Sequence, residues 1–551
     1  MTFSWWSFLT QIALLVLALG LVHKPLGLYM ARVFTSSKHL RAERLFYQVA
    51  GVDADADQTW STYLRSLLAF SVIGILLVFG IQRLQGLIPG QGDAVDPWVA
   101  MNTAISFVTN TNWQSYVPES TVGIVVQMML LAVQNFLSAA VGIAVAIALI
   151  RGLRRTGTDR IGNFWVDVAR GSFRLLLPLA LLAAIAFVVT GVVQNFTGTA
   201  VVNAALGVHQ QIPGGPVASQ EAIKLLGTNG GGYFNANSAH PFENPNGYSN
   251  LLSVFLILAI PFSLPYTYGR MLGSQKQGYT ILTVMGSLWA VSNGLMAWVL
   301  SVGATGAGVS GEGMEQRFGP AATSIFASST TLTSTGAVNA AHDSLPPLVG
   351  GLTMLNMMLG EVAPGGVGSG LYGMLVLAII AVFLAGLMVG RTPEFVGKKI
   401  TARQMKLAAI YLLVTPTLVL AMTGITLLLP DQLSNAPAPG GTPHQFSEVL
   451  YAFTSAANNN GSAFGGITSS GPYLATMLGL AMLLGRFVPI VLVLALAGSL
   501  AQQRIVPASS GTVPTHGPLF ASLLAVVSIV LTALTYFPAL ALGPLAEGLT
   551  R

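Results

Sequence analysis

The sequence predicts an all-α integral membrane protein with about ten transmembrane helices, arranged as four pseudo-repeated helix, pore loop, helix units around a central pore. Apolar residues make up 53 % of the 551 residues and charged residues only 8 %, whereas soluble domains carry roughly a quarter charged residues. The mean hydropathy is +0.68. Long apolar stretches recur along the whole chain, and four polar loops rich in Gly, Asn and Thr lie between them.

Ten apolar stretches are long enough to cross a bilayer, whose hydrocarbon core requires roughly 20 helical residues. Their predicted bounds are 5–27, 66–86, 122–150, 174–196, 250–268, 280–303, 348–390, 406–429, 473–500 and 518–543. The first stretch has no preceding Lys or Arg and no small-residue cleavage site, so it is interpreted as a retained helix and not as a signal peptide.

The charge distribution predicts the orientation. Most of the 25 Lys and Arg residues fall in the connections after the odd-numbered spans, and such connections face the cytoplasm. Both termini and all four polar loops are therefore predicted to lie outside. The net charge of +6 is attributed to this bias and not to a nucleic-acid partner. Cysteine is absent, which excludes disulfides and thiolate metal sites.

Each polar loop follows a largely apolar segment of roughly 7 to 11 residues, about half a span or less. These short segments are predicted pore helices at 98–108, 220–226, 321–331 and 446–453. The pattern divides the chain into an N-terminal helix with its loop, four pore repeats and a C-terminal helix, at 1–60, 61–155, 156–275, 276–400, 401–505 and 506–551. The third repeat is predicted to contain a broken helix.

The chemistry of the loops favours a monovalent cation. Irregular backbone at membrane depth persists only where protein or water satisfies its polar groups, and a ring of carbonyl oxygens can replace the hydration shell of an alkali ion. Glycine permits the backbone conformations that turn carbonyls inward. Each pore helix would also direct its negative C-terminal end toward the pore. The loops contain no ring of Asp or Glu, which argues against divalent selectivity.

Five motifs resemble those of a known family. They are Asn-Thr-Asn-Trp-Gln-Ser at 110–115, the stretch 227–237 with His-Pro-Phe-Glu-Asn-Pro at 240–245, and the segments 329–343, 390–394 and 455–465. Together they resemble the potassium-binding, channel-like subunit of the bacterial Kdp potassium-transporting ATPase, over the whole chain. The resemblance implies a bacterial inner-membrane complex with a P-type ATPase catalytic subunit and small accessory membrane subunits. It also implies that potassium is bound from outside and passed through the membrane to the catalytic subunit.

The resemblance assigns the selectivity filter to the four loops. The residues expected to bind K⁺ are Asn110, Thr111, Gly230, Gly231, Gly232, Ser334, Thr335, Gly336, Asn459, Asn460 and Gly461. The residues expected to support the filter are Asn112, Gln114, Thr228 and Asn229. Gln114 is interpreted as a brace for the loops and not as a direct ligand.

The long stretch 348–390 is about twice the length of a simple crossing. It contains Glu361, Pro364 and several glycines, including Gly365, Gly366 and Gly368, and Pro and Gly are the poorest helix formers. We therefore predict a break here, with an intramembrane loop that gates or redirects ions. The alternative is a short turn outside the membrane.

Arg486 lies inside the ninth apolar span, where a charge costs roughly 3 kcal/mol on insertion scales unless it is paired or hydrated. Two interpretations stay open for it. It could be a fixed positive charge that hinders passage to the cytoplasm, or a structural ion-pair partner of Glu361. Lys224 is expected to be solvated or snorkelling, and Glu243 and Asp343 are exposed acids that could attract cations at the mouth.

The chain has no Gly-x-x-x-x-Gly-Lys-Ser/Thr phosphate loop and no Asp-Lys-Thr-Gly phosphorylation sequence, so we expect it neither to bind nor to hydrolyse ATP. One alternative function is a free-standing Trk- or Ktr-like potassium channel or symporter. Another is a membrane enzyme that uses His240 with Glu243 or His342 with Asp343, but such pairs lack the third member that a catalytic site needs.

Overall fold

The computed structural model describes residues 2–197, 199–203, 209–303, 313–433, 442–507 and 512–550. Within these residues, ten helices are long and apolar enough to cross a membrane. They span Trp5–Thr35, Trp60–Leu87, Ile124–Arg154, Phe164–Val189, Gly247–Leu272, Gln275–Val302, Ser369–Met388, Ala402–Leu427, Pro472–Gln502 and Pro518–Leu549. The predicted all-helical membrane fold with ten crossings is confirmed.

Four shorter helices lie between these spans, one in each repeat. They are Pro97–Val108, Val217–Leu226, Gly319–Leu332 and Pro443–Asn458, and we call them the first to fourth pore helices. Each runs into one of the polar loops, which we call the first to fourth filter loops (109–114, 227–233, 333–339 and 455–462). The fourth pore helix includes the first four residues of its filter loop.

Local capping explains where the pore helices begin. Asp96 accepts hydrogen bonds from the amides of Trp98 and Val99 at 2.9 and 3.3 Å, and Pro97 occupies the first helical position, where a missing N–H costs nothing. Thr442 and Gln445 form a reciprocal capping box at the fourth pore helix. Such caps satisfy amides that have no partner within a helix.

The helix after each filter loop is more buried than the helix before it. In the first repeat, 17 % of an 18-residue apolar stretch within Trp60–Leu87 is buried against 83 % of one within Ile124–Arg154, and in the second repeat the corresponding shares are 28 % and 78 %. The third and fourth repeats show the same order, with 56 % against 72 % and 22 % against 56 %. The second helices of the repeats therefore surround the centre, and the first helices lie at the periphery.

The third repeat differs from the others because its second helix is divided. Pro347–Met358 is followed by Ser369–Met388, and residues 359–368 between them are not helical. We call these ten residues the helix break. Only Ser369–Met388 is long enough to be one of the ten crossings, so the stretch 348–390 contributes a half-helix, a loop and a span.

Strand structure in the described residues is limited to three antiparallel pairs in the connections. They are Gln58–Thr59 with Arg160–Gly162, Thr199–Asn203 with His209–Pro213, and Glu394–Phe395 with Lys398–Lys399. The N-terminal helix Trp5–Thr35 packs beside Gly247–Leu272, where Thr267 Oγ1 donates to the carbonyl of Gly27 at 3.0 Å. This helix is outside the four repeats.

Candidate ion-binding site

The four filter loops converge on one centre. A Cβ placed on Gly230, in the second loop, would lie 2.6 Å from the carbonyl oxygen of Thr111, 3.0 Å from that of Thr335 and 3.1 Å from that of Asn460. These three residues belong to the first, third and fourth loops. The loops are far apart in the sequence, so the spacing of the repeats is what brings them together.

Adjacent loops are packed closely around this centre. A Cβ on Gly336 would overlap the carbonyl oxygen of Asn460, and one on Gly461 would overlap that of Thr111. Both glycines also have positive φ, at 70° and 97°, a conformation that glycine adopts without steric cost. The third loop therefore contacts the fourth, and the fourth contacts the first.

Four carbonyl oxygens near the centre have no donor. Those of Thr111, Gly230, Thr335 and Asn460 accept no hydrogen bond from any residue that the structure describes, although buried carbonyls in proteins are nearly always paired. Their four residues are almost completely buried. An arrangement of this kind can coordinate an alkali cation, because carbonyl oxygens substitute for water in its coordination shell.

Three non-glycine residues near the ends of the pore helices have a left-handed backbone conformation. Asn110, Thr228 and Asn459 follow the ends of their pore helices with φ of 67°, 47° and 61°. Non-glycine residues with positive φ are uncommon, although Asn is several-fold enriched among them. The conformation ends the helix and redirects the chain toward the centre.

Amide side chains join the first and second loops. Asn110 Nδ2 donates to the carbonyl of Thr228 at 2.8 Å, and Asn229 Nδ2 lies 2.6 Å from Asn110 Oδ1 and 3.1 Å from Asn112 Oδ1. Asn112 in turn donates to Asn135 Oδ1 at 2.8 Å. The residues predicted as filter support, Asn112, Thr228 and Asn229, lie in this network. Asn110, predicted as a ligand, also contributes its side chain to the network.

Gln114 contacts the second loop and not the centre. Its Oε1 accepts a hydrogen bond from the amide of Gly232 at 2.9 Å, and its Nε2 donates to the Gly232 carbonyl at 3.1 Å. This reciprocal pair fixes the position of Gly232 relative to the first loop. The contact is of the kind expected for a brace.

The third and fourth loops are joined through Asn460. Its Nδ2 donates to the carbonyls of Thr330 and Thr333 at 3.0 and 2.9 Å, while Asn459 Nδ2 reaches Thr111 Oγ1 at 2.9 Å. Ser334 is buried, and its hydroxyl has no hydrogen-bond partner in the described part of the chain. Together these contacts complete the ring of loops.

The helix break packs directly against the second and third loops. The amide of Val367 donates to Thr228 Oγ1 at 2.9 Å, and that of Gly365 donates to the carbonyl of Leu332 at 3.1 Å. A Cβ on Gly366 would overlap the hydroxyl of Ser334. The glycines of the break therefore allow the closest approach of its backbone to the filter loops.

A cavity of about 90 Å³ lies beside the start of the fourth loop. Asn459, Glu361, Arg486 and Tyr372 are among the residues that line it. Glu361 and Arg486 are both buried, at 3 % and 5 % exposure. Among the described residues, Glu361 and Arg486 form no ion pair within 4.0 Å. No direct contact therefore supports the interpretation of Arg486 as the ion-pair partner of Glu361.

Sequence reasoning missed a buried charge cluster behind the second loop. Lys224 was expected to be solvated, but it is 1 % exposed and contacts Glu221 at 2.5 Å and Glu243 at 2.9 Å. Glu243 is not an exposed acid at the mouth, because it is fully buried. The signal in the sequence was the Glu221 and Lys224 pair at i and i+3, a spacing that places both on one helix face.

The fold and the converging loops define a multi-pass membrane protein built on four helix, pore loop, helix repeats. The potassium transporter TrkH from Vibrio parahaemolyticus has a similar fold, with a TM-score of 0.53 and 14 % sequence identity over 77 % of this chain and 83 % of that chain. This likeness shows the fold alone.

The family is shown by the sequence comparisons. The family model of the potassium-transporting ATPase A subunit matches residues 13–549, and the chain therefore belongs to this family. A potassium-transporting ATPase potassium-binding subunit from Clavibacter michiganensis is 58 % identical over 548 residues, which are 98 % of each chain. Subunits of the same name from Mycobacterium avium and Streptomyces coelicolor are each 57 % identical, again over 98 % of both chains.

Proposed function

We propose that the chain is the potassium-binding and translocating subunit of an ATP-driven potassium uptake complex. It binds K⁺ from the outer side at the ring formed by the four filter loops and delivers the ion through the membrane to a P-type ATPase catalytic subunit. One observation carries the proposal. Four carbonyl oxygens that accept no hydrogen bond from the described residues lie together at the centre of the loops, those of Thr111, Gly230, Thr335 and Asn460.

The chemistry of the ring supports a monovalent cation as the transported substrate. The ring consists of neutral carbonyls and amides, which suit an alkali ion, and it has no carboxylates of the kind that bind divalent cations tightly. The relatives are named potassium-binding subunits, and from this we infer that the ion is potassium. Potassium is substrate here and not a resident cofactor.

The same membership supports the division of labour within the complex. The chain binds and conducts the ion as a non-catalytic subunit and binds no ATP, while a P-type ATPase subunit hydrolyses ATP and small membrane subunits complete the assembly. The complex resides in the bacterial cytoplasmic membrane, with both termini of this chain outside. The excess of basic residues in the connections after odd-numbered spans supports that orientation.

A free-standing channel or symporter is the second candidate, and the TrkH-like fold is the observation in its favour. The identity of 14 % to TrkH stands against 57 to 58 % identity to the ATPase subunits over nearly the full length. Affinity purification from native membranes distinguishes the two candidates. Recovery of a P-type ATPase in stoichiometric amount supports the subunit role, and potassium flux by the chain alone supports the channel.

Gly231→Ser tests the filter itself. Gly231 has φ of 70°, and a Cβ there would lie 2.8 Å from the Asn112 carbonyl. Gly273→Ser is the matched control, since Gly273 has φ of 85° and open space around it, at the end of Gly247–Leu272. In the purified complex, K⁺ uptake is measured with Na⁺, Rb⁺ and NH₄⁺ as competitors. Loss of discrimination in Gly231→Ser alone supports the filter, and unchanged discrimination in both variants overturns it.

A further inference from the structure

The cluster behind the second filter loop consists of three charged side chains that are all out of contact with solvent. Lys224 lies near the end of the second pore helix, and its ammonium contacts Glu221 Oε2 at 2.5 Å and Glu243 Oε2 at 2.9 Å. It also donates to Asn237 Oδ1 at 2.8 Å. The three charged residues are at most 2 % exposed. Taking such charges out of water costs several kcal/mol per ion unless the geometry compensates.

The lysine determines which way the Asn237 amide faces. Lys224 can only donate hydrogen bonds, so the atom of Asn237 that faces it must be the oxygen. The amide of Ser238 donates to the same oxygen at 2.8 Å. The Asn237 NH₂ group is therefore on the opposite side, where it donates to the carbonyl oxygen of Gly231.

This hydrogen bond distinguishes the carbonyls of the three consecutive glycines. The Asn237 side chain donates a hydrogen bond to the Gly231 carbonyl, and the Gln114 side chain donates one to the Gly232 carbonyl. The carbonyl of Gly230 has no donor among the described residues. Side chains thus bind two of the three oxygens, and only the third is left for an ion at the centre.

The carboxylates anchor the cluster to the segment that follows the loop. Glu243 Oε1 accepts a hydrogen bond from the amide of Phe234 at 2.7 Å, and Glu221 Oε1 accepts one from Ser238 Oγ at 2.7 Å. The start of the segment 234–243 is therefore bonded to its end at Glu243, which contacts Lys224 of the second pore helix, and its middle is bonded to Glu221 of the same helix. Asn237 lies within this segment with φ of 55°, so its backbone and its amide are both fixed.

We propose that Asn237 is a positioning residue that determines ion discrimination in the filter, and that Lys224, Glu221 and Glu243 orient its amide. The inference rests on the proposed function. Asn237 does not touch the ion; it acts by holding the Gly231 carbonyl, and the Gly230 carbonyl depends on the backbone geometry of its neighbour. A small shift in the ring changes the relative binding of K⁺ and the slightly larger Rb⁺.

Asn237→Asp tests the proposal with almost no change of shape. The carboxylate keeps the contact with Lys224 and places a second oxygen, with no proton to donate, against the Gly231 carbonyl. Asn163→Asp is the matched control. Asn163 is equally buried, at 7 % exposure for both residues, and its Nδ2 donates to the carbonyls of Asp53 and Ala56 in a connection on the predicted cytoplasmic side.

The measurement is the half-saturating concentration of K⁺ and of Rb⁺ for ATP-driven uptake by the purified complex in liposomes. We expect Asn237→Asp to change the Rb⁺ to K⁺ ratio by roughly 3- to 10-fold, the equivalent of one hydrogen bond, and Asn163→Asp to leave it within twofold. An Asn237→Asp ratio within twofold of the wild type overturns the proposal. A merely structural role would lower the yield of complex without moving the ratio.

If the complex with Asn237→Asp does not assemble, Asn237→Gly tests whether Asn237 determines the Rb⁺ to K⁺ ratio. Glycine keeps the positive φ without strain and removes the donor without adding charge, and the same shift in the ratio is expected. An unchanged ratio in Asn237→Gly overturns the proposal. Failure of the proposed function gives a different result, because then the wild-type complex itself shows no preference and Gly231→Ser has no effect.

Discussion

The side-chain amide of Asn460 lies 2.7 Å from the carboxylate of Glu361. The main-chain oxygen of the same asparagine faces the centre of the filter, 3.1 Å from the position of a Cβ on Gly230. One residue of the fourth loop therefore contacts both the ring of carbonyls and the helix break. A change in the ring on ion binding has a direct route to the break.

Removing this contact is expected to uncouple the break from the filter. In the wild-type complex, K⁺ should slow amide hydrogen exchange in residues 359–368. In Glu361→Ala the slowing should fall by roughly 2- to 10-fold, because a single hydrogen bond contributes about 0.5 to 1.5 kcal/mol net. Glu315→Ala, which removes a partly exposed acid paired with Arg317, is the control. Equal protection in Glu361→Ala and the wild type would contradict the coupling.

Arg486→Gln tests whether the guanidinium is a barrier to leak. Arg486 lines the same cavity as Asn459, the first left-handed residue of the fourth loop, and we expect an ion that leaves the filter to pass close to this charge. We expect passive K⁺ flux into liposomes, measured without ATP, to rise at least several-fold in Arg486→Gln and to stay near the wild-type level in Arg486→Lys. A charge in a poorly hydrated site repels a like charge strongly. Unchanged flux in Arg486→Gln would refute the barrier.

Gly230→Ala places a methyl group where the four loops meet. The new Cβ would lie 2.6 Å from the Thr111 carbonyl, closer than packed atoms approach, and such overpacking costs roughly 1 to 3 kcal/mol. K⁺ uptake should fall by more than about tenfold. Gly294→Ala is the control, because Gly294 lies in Gln275–Gly303 with no atom near its Cβ position. Normal uptake by Gly230→Ala would show that the ring is not the binding site.

The repeat pattern of the sequence was sufficient to predict the fold and the convergence of the loops. Apolar stretches of spanning length alternate with half-length segments that begin at Asp96 with Pro97, or at Thr442 with Pro443. These are local signals, and each can be interpreted without knowledge of its neighbours. They locate the elements to within a few residues at most positions.

Helix boundaries at the predicted cytoplasmic ends were harder to predict, because charged residues continue into the helices. The fourth span was predicted to begin at residue 174, but it starts at Phe164. Its early turns contain Asp167, which pairs with Arg151 at 2.6 Å, and Arg174, which pairs with Glu43 at 2.5 Å. The partners come from distant parts of the chain, so composition alone could not show that these charges are neutralised within the fold.

The pairing of Lys224 with Glu243 behind the second loop was unpredictable for the same reason. Lys224 was interpreted as a snorkelling side chain and Glu243 as a mouth acid, and both interpretations are wrong because the two residues neutralise each other. A pairing across 19 residues of irregular chain leaves no periodic signal in the sequence. The hydrogen bond from Asn237 to Gly231 is likewise visible only in three dimensions.

His444, at the start of the fourth pore helix, makes the stability of the fold dependent on pH. Its Nε2 lies 3.0 Å from Asp343 and its Nδ1 lies 3.1 Å from Glu547, and these hydrogen bonds, that to Asp343 first, raise its pKa to about 9 despite partial burial. The folded pKa exceeds the unfolded value of about 6.5, so the stabilisation is complete below pH 6.5 and is lost as the pH rises through 9. We expect the Tm of the complex to fall by roughly 1 to 3 °C between pH 7 and pH 10, a small change because the site is partly exposed. His444→Gln should lack this step, and an identical decrease in the variant would assign it to other groups.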